Sequence, residues 1–210
     1  MLKREIDHIV YCVPDLDVAI ADLTSLWGVQ PTIGGRHLTK GTKNALINLG
    51  NGCYFELLAI DEENTEITAD RWMGVDLIQQ PKITRWALKT SDLNTDCLAL
   101  ATYDEALSEV FEGSRKTSDG SELKWKMTLP KSHPEVELVP FMTDWTTSDY
   151  HPTDRMTAQC QLTGLQLFHP HPEQFKTVFQ ALNVDVELNH SNDIKIQLKI
   201  EAPTGTQFVS

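Results

Sequence analysis

A strand, a helix and then more strands recur along this chain of 210 residues. Repetition at that scale constrains the architecture more than any single motif does. The first instance opens with Ile6, Ile9, Val10, Cys12 and Val13, a mostly apolar run rich in β-branched residues that reads as a strand. Pro14 ends it, and Asp15 or Asp17 caps a helix on which Leu16, Ile20, Leu23 and Leu26 or Trp27 recur at helical spacing. Gly28 stops that helix. Extended segments follow over Gln30–Ile33, Asn44–Leu49 and Cys53–Ile60, the last two joined by the tight turn Gly50-Asn51-Gly52.

The order returns twice. Arg85 to Thr90 reads as a strand, Ser91-Asp92-Leu93 repeats the character of Pro14-Asp15-Leu16, and a helix pattern runs from Asn94 to about Tyr103. Strands are expected near Ser114–Thr117, Leu123–Thr128 and Leu138–Trp145. A shorter third copy begins at Leu162, with a strand over Gly164–Phe168, a break at Pro170-His171-Pro172 and a helix from Glu173 to Leu182. Two strands, Val184–Leu188 and Ile194–Ile200, complete it. Pro81 and Tyr150-His151-Pro152-Thr153 mark boundaries without the Gly/Ser-rich length of a free hinge. The expectation is an α+β fold in one compact body over 1–210, with units at roughly 1–62, 83–146 and 160–210.

Thirty acidic against eighteen basic residues leave a net charge of −12, which repels phosphate backbones and anionic membrane surfaces. A small molecule is therefore the expected partner, with neither nucleic acid nor membrane. No window reaches the length of an apolar membrane span, and the charged N-terminus runs directly into a strand, unlike a signal peptide. Cys12, Cys53, Cys97 and Cys160 are scattered, with neither metal spacing nor a disulfide framework, and read as buried thiols of a reducing cytoplasm. No GxSxG elbow, P-loop or dinucleotide fingerprint is present, so hydrolase, kinase and dehydrogenase readings lack support and no nucleotide cofactor is expected.

The phrases IDHIVYCVPDLD, GGRHLTKGTKNAL, YFELLAID, WALKTSDL, SDGSELKWKMTLP and VPFMTDW, with the following His151-Pro152, resemble the glyoxalase-like branch of the vicinal oxygen chelate superfamily. That superfamily includes glyoxalase I, extradiol dioxygenases and bleomycin-resistance proteins. The resemblance implies tandem βαβββ units forming a curled, cup-shaped mixed sheet around a ligand, with helices outside, and it allows a homodimer. In metal-dependent members a His from a unit's first strand and a Glu from its last hold a divalent ion. That ion acts as a Lewis acid on neighbouring substrate oxygens.

Carried onto this sequence, those positions are His8 and Glu56. Both stand in apolar strands, where a carboxylate is costly to bury unless paired or metal-bound. A His–Glu pair without a metal is the alternative. In the second unit, aligning Asp92 with Asp15 puts Arg85 at the His position, and an always-protonated guanidinium is no ligand. Aligning YFELL with MTDWT puts Asp144 at the second carboxylate position. His8, Glu56 and Asp144 are thus the candidate ligands for iron, manganese, nickel or zinc, and whether a metal binds stays open.

Gly34-Gly35 permits a close backbone approach, Arg36 can grip a carboxylate or other anion, and His37 titrates near neutrality and can serve as a base. Asn44 can orient a carbonyl. Arg85, Trp125 and Trp145 complete the expected substrate-binding set, and Glu56 and His37 the catalytic one. His133, His151, His169, His171 and His190 are poorly placed for a site, and His169-Pro170-His171-Pro172, with no acidic or Cys partner at ligand spacing, reads as a loop. Two functions follow. One is metal-assisted lyase, isomerase or dioxygenase chemistry on a small oxygenated, anionic molecule. The other is metal-free binding or sequestration of such a molecule.

Overall fold

A computed structural model describes residues 4–68, 71–116 and 122–210. Strand β1 (Ile6–Cys12) leads into helix α1 (Leu16–Trp27) and strands β2 (Thr32–His37), β3 (Thr42–Asn48) and β4 (Tyr54–Ile60). A second set follows: β5 (Lys82–Lys89), α2 (Leu93–Ala101), β6 (Val110–Lys116), β7 (Glu122–Thr128) and β8 (Phe141–Asp144). These eight strands make one mixed sheet in the order β2-β3-β4-β1-β5-β8-β7-β6. Each first strand lies parallel to the last strand of its own unit, β1 to β4 and β5 to β8. The two units are joined by the antiparallel pair β1–β5. The outer strands β2 and β6 also contact one another, so the sheet curls into a cup.

Local chemistry accounts for the elements. Asp15 caps α1, its carboxylate accepting from the Val18 amide at 3.0 Å, and Asp92 caps α2 through the Thr95 amide at 3.2 Å. Gly28 closes α1 at φ 70°. The stripe Leu16, Ala19, Leu23 and Trp27 is buried against the sheet. Each of its large side chains contributes about 1.5–3 kcal/mol. Gly50, Asn51 and Gly52 all take positive φ in the β3–β4 turn.

The third segment departs from the sequence expectation. Strands β9 (Gln161–His169), β10 (Glu187–His190), β11 (Lys195–Ala202) and β12 (Gly205–Val209), with the short helix α3 (Lys176–Ala181), form a separate sheet ordered β10-β9-β11-β12. Here the strand after the helix, β10, runs parallel beside β9, while β11 returns antiparallel on its other side. In the first unit it is the last strand that lies parallel to the first. The third segment is therefore no shorter copy, and β12 is an additional strand.

Leu165, Leu167, Ile196, Leu198 and Ile200 of this sheet share one apolar core with Ile9, Trp86, Leu88 and the buried faces of α1 and α2. The second sheet thus covers the helix-bearing face of the first. A second, smaller core of Val10, Cys12, Leu58, Trp72, Met73, Ala87, Trp125, Met127 and Phe141 fills the cup. All four cysteines are free; Cys12, Cys53 and Cys160 are buried, while Cys97 is half-buried. Burial pushes the Cys12 thiol up to about 12 and Cys53 up as well. No helix among the described residues is long and apolar enough to cross a membrane.

Candidate functional site

Alternation along β1 turns His8 into the cup, and the parallel β1–β4 register sets Tyr54 beside it and Glu56 opposite Val10. The His8 ring stacks on Tyr54 with centroids 4.7 Å apart and meets the edge of Phe141 at 5.2 Å. Behind it lies Asp7, fully buried. Its carboxylate accepts hydrogen bonds from His8 Nδ1 at 2.5 Å, Trp145 Nε1 at 2.9 Å and His151 Nε2 at 3.1 Å. Burial alone would raise the Asp7 pKa. The His151 and His8 hydrogen bonds and their charges outweigh it and hold the group at about 2.

Asp7 accepts the proton on His8 Nδ1 in either state of the ring, so Nε2, which faces the cavity, is the nitrogen that can gain or lose a proton. Glu56 Oε2 stands 3.7 Å from that nitrogen, beyond hydrogen-bond length. The other Glu56 oxygen accepts from Asn44 Nδ2 at 2.6 Å. That contact orients the Asn44 amide, because the reversed rotamer would set oxygen against oxygen. Asn44 Oδ1 is left buried with no partner, as are Thr143 Oγ1 and Trp72 Nε1.

These groups line a small cleft of about 40 Å³, partly open to solvent. Its walls are aromatic: Tyr54, Trp72, Trp125 and Trp145, with Trp125 and Trp145 at 5.6 Å between centroids. His37 closes one side, meeting Trp72 and Trp125 edge-on at 5.4 and 6.2 Å, its Nδ1 2.9 Å from Thr42 Oγ1. Trp72 and Met73 come from the short 3-10 helix Trp72–Leu77 before β5 and pack against the core that fills the cup. Met73 sits there in the left-handed region at φ 56°, a strained conformation for a side chain of its size.

The structure thus gathers His8, His37, Asn44, Glu56, Trp125 and Trp145 around one cavity. Arg36, Arg85 and Asp144 are placed elsewhere. Arg36 alternates away from His37 on β2 and is held by Asp61 at 2.6 Å and Glu63 at 2.7 Å. Arg85 lies opposite Val10, whereas the residue across from His8 is Ala87. The Arg85 guanidinium donates to the Thr84, Lys131, His133 and Glu135 carbonyls. Arg85 keeps the place that counting from the helix caps gives it, since the β1–β5 pairing is symmetric about Ile9–Trp86, but it is not among the residues that line the cavity.

Asp144 ends β8 in a turn, accepting from the Thr146 amide at 2.8 Å. Its neighbour Thr143 is the residue that lines the cavity. Counted from the caps, Ala87 answers to Val10, and Ala87 pairs with Phe141 as Val10 pairs with Glu56. The second unit therefore sets an aromatic ring at the Glu56 position and a hydroxyl, Thr143, two residues on.

Sequence reasoning missed Asp7, Tyr54, Trp72 and Thr143, and it set His151 aside as poorly placed. His151 is a second donor to Asp7, with Nδ1 2.7 Å from Thr153 Oγ1. An acidic residue directly before the strand histidine was the one available signal.

Among the described residues no group of three or more His, Cys, Asp or Glu side chains could hold a metal ion. His8 Nε2 and Glu56 are two donors where catalytic metal sites use three protein ligands. The donor set does not fit a resident divalent ion, and the chemistry argued below runs on protein groups.

A family model for the glyoxalase-like domain matches residues 6–183, from β1 through α3. The chain belongs to the glyoxalase-like domain family. The resemblance to the glyoxalase-like branch read from the sequence is thus borne out. A hypothetical protein from Staphylococcus aureus is 21% identical to this glyoxalase-like protein. The match covers 97% of this chain and 83% of that one with a TM-score of 0.60, a likeness of fold.

Methylmalonyl-CoA epimerases are more distant in shape. A variant of the Streptomyces coelicolor enzyme, in complex with 2-nitronate-propionyl-CoA, is 20% identical over 70% of this chain and 99% of its own, at a TM-score of 0.43. The Mycobacterium tuberculosis enzyme is 23% identical over 66% and 86%, at 0.41. No curated protein matches the glyoxalase-like chain.

Proposed function

We propose that this glyoxalase-like protein catalyses proton transfer on a small oxygenated molecule, the chemistry of an isomerase or lyase, with His8 as the proton carrier. The observation that carries the reading is the position of His8. Its Nδ1 is bound to a fully buried, ionised Asp7, and its Nε2 stands 3.7 Å from Glu56 at the floor of an aromatic cleft. A base held in one tautomer by a carboxylate behind it, with its free nitrogen facing a cavity, is the arrangement general-base catalysis needs.

His8 Nε2 takes the proton. Asp7 and Glu56, one on each side of the ring, stabilise the imidazolium that results. The Thr143 hydroxyl and Trp72 Nε1 can donate to a substrate oxygen. The aromatic walls with a few convergent polar groups are those of a small-molecule site.

Incubation in deuterium oxide with a panel of small ketones, 2-oxo acids and hydroxyketones tests this, with deuterium entry beside the carbonyl read by NMR. At least one compound should exchange with the wild type, and His8→Gln should slow that exchange about 100-fold or more. The three cleft tryptophans favour a second reading, a binding protein that turns nothing over. Ligand-dependent quenching of their fluorescence with no exchange anywhere in the panel would decide for it.

A divalent ion held by His8 and Glu56 is a further ligand to try. Stabilisation by manganese, iron, nickel or zinc that vanishes in both His8→Ala and Glu56→Ala would bring it into the reaction.

A further inference from the structure

We infer that the ligand of this cleft carries a protonated amine, which docks on Glu56 Oε2 and Asn44 Oδ1 with its substituents against the tryptophan walls. The inference rests on the cleft being the ligand site, as proposed above, but not on any turnover there.

Charge is the first argument. Glu56 is 6% exposed and faces the cavity, and Asp7, 0% exposed, lies one layer behind. No arginine or lysine is among the lining residues, and the nearest arginine in sequence to that wall, Arg36, is tied to Asp61 and Glu63. Asp7 is satisfied by its three donors, but Glu56 is buried with no permanent cation beside it, and a ligand that brings a positive charge offsets that cost.

Hydrogen bonding is the second. Glu56 Oε2 has no partner closer than the 3.7 Å contact to His8, and Asn44 Oδ1 has none at all. The Asn44–Glu56 hydrogen bond holds these two acceptors side by side, so the floor asks for a group with several N–H donors. The walls are the third. Trp72, Trp125, Trp145 and Tyr54 surround that floor, and indole faces attract cations, more strongly where water is excluded. The protein already uses this attraction at the rim, where Lys40 Nζ lies 4.2 Å from the Phe111 ring centroid and 5.6 Å from that of Trp72. A carboxylate ligand would meet acceptors and like charge, which reverses the expectation of an anionic substrate.

Three probes of one shape separate the possibilities: benzylammonium, benzyl alcohol and benzoate, titrated at neutral pH in the presence of a chelator and followed by tryptophan emission. Benzylammonium should bind the wild-type protein at least tenfold more tightly than benzyl alcohol, and benzoate should be weakest. Tetramethylammonium, a cation without N–H groups, should bind at least tenfold more weakly than benzylammonium. Glu56→Gln should bring benzylammonium and benzyl alcohol to similar affinities.

Benzoate or benzyl alcohol binding as well as the amine would overturn the inference, and so would equal binding of tetramethylammonium. A benzylammonium complex that forms only after a divalent ion is added would also overturn it, because Glu56 would then not be the amine's partner. The preference is read within one folded protein, so it stands even where a variant fails to fold. Deuterium exchange does not enter the readout, which keeps failure of this inference separate from failure of the catalytic reading.

Discussion

Asp7 is the residue on which the site turns. It is fully buried, it accepts from three side chains on two different segments, and its pKa is held near 2. In the unfolded chain the group titrates near 3.9. Its contribution to stability is therefore complete at neutral pH, fades as pH falls below about 4, and is gone below about 2. Asp7→Asn should cost about 3 kcal/mol at pH 7, the scale for breaking a buried charged pair. It should also flatten the acid limb of a stability–pH profile, and urea melts across pH 2–7 check both effects. The sequence made His8 and Glu56 legible because a polar side chain in an apolar strand is a visible anomaly. It could not reveal Asp7 as their support, because Asp7 sits beside His8 in sequence and meets Trp145 and His151 only through the fold.

At the scale of elements, turn and cap chemistry carried the reading well. Pro14, Asp15, Gly28 and the Gly50–Gly52 turn stand where local rules put them. Side-chain fate was not legible, since Arg85 stands where counting from the caps puts it while its guanidinium is taken up by the Lys131, His133 and Glu135 carbonyls, which only long-range packing brings near. The pairing of β6 with β7 supplies a test of the aromatic wall. Gly113 lies opposite Trp125, and a Cβ built on Gly113 would overlap the indole ring at Cε2. Gly113→Ala should cost about 1–3 kcal/mol by overpacking and press Trp125 into the cleft. Benzylammonium affinity should then fall at least tenfold with a shift in tryptophan emission. Unchanged affinity in a folded Gly113→Ala protein would show that Trp125 is not part of the binding wall.

The whole molecule has two cores on opposite faces of one sheet. Ile196 of β11 is fully buried in the larger core, on the face away from the cleft. Ile196→Ala should lower stability by about 3 kcal/mol while leaving deuterium exchange and amine binding unchanged below the melting temperature. Thermal melts beside a single-temperature binding assay would show whether the faces are separable. The third segment looked like another copy because alternating apolar residues and an amphipathic helix fix elements, and only long-range pairing fixes their order. The first two units, alike in fold, have diverged in side chains: His8 and Glu56 line the cleft from the first, and Trp125, Met127 and Thr143 from the second. One half of the cup carries reactive groups and the other carries shape. Selection acting on Met127 and Thr143 can therefore retune which molecule fits while the acid–base pair stays untouched, which makes that half the place to begin a redesign of selectivity.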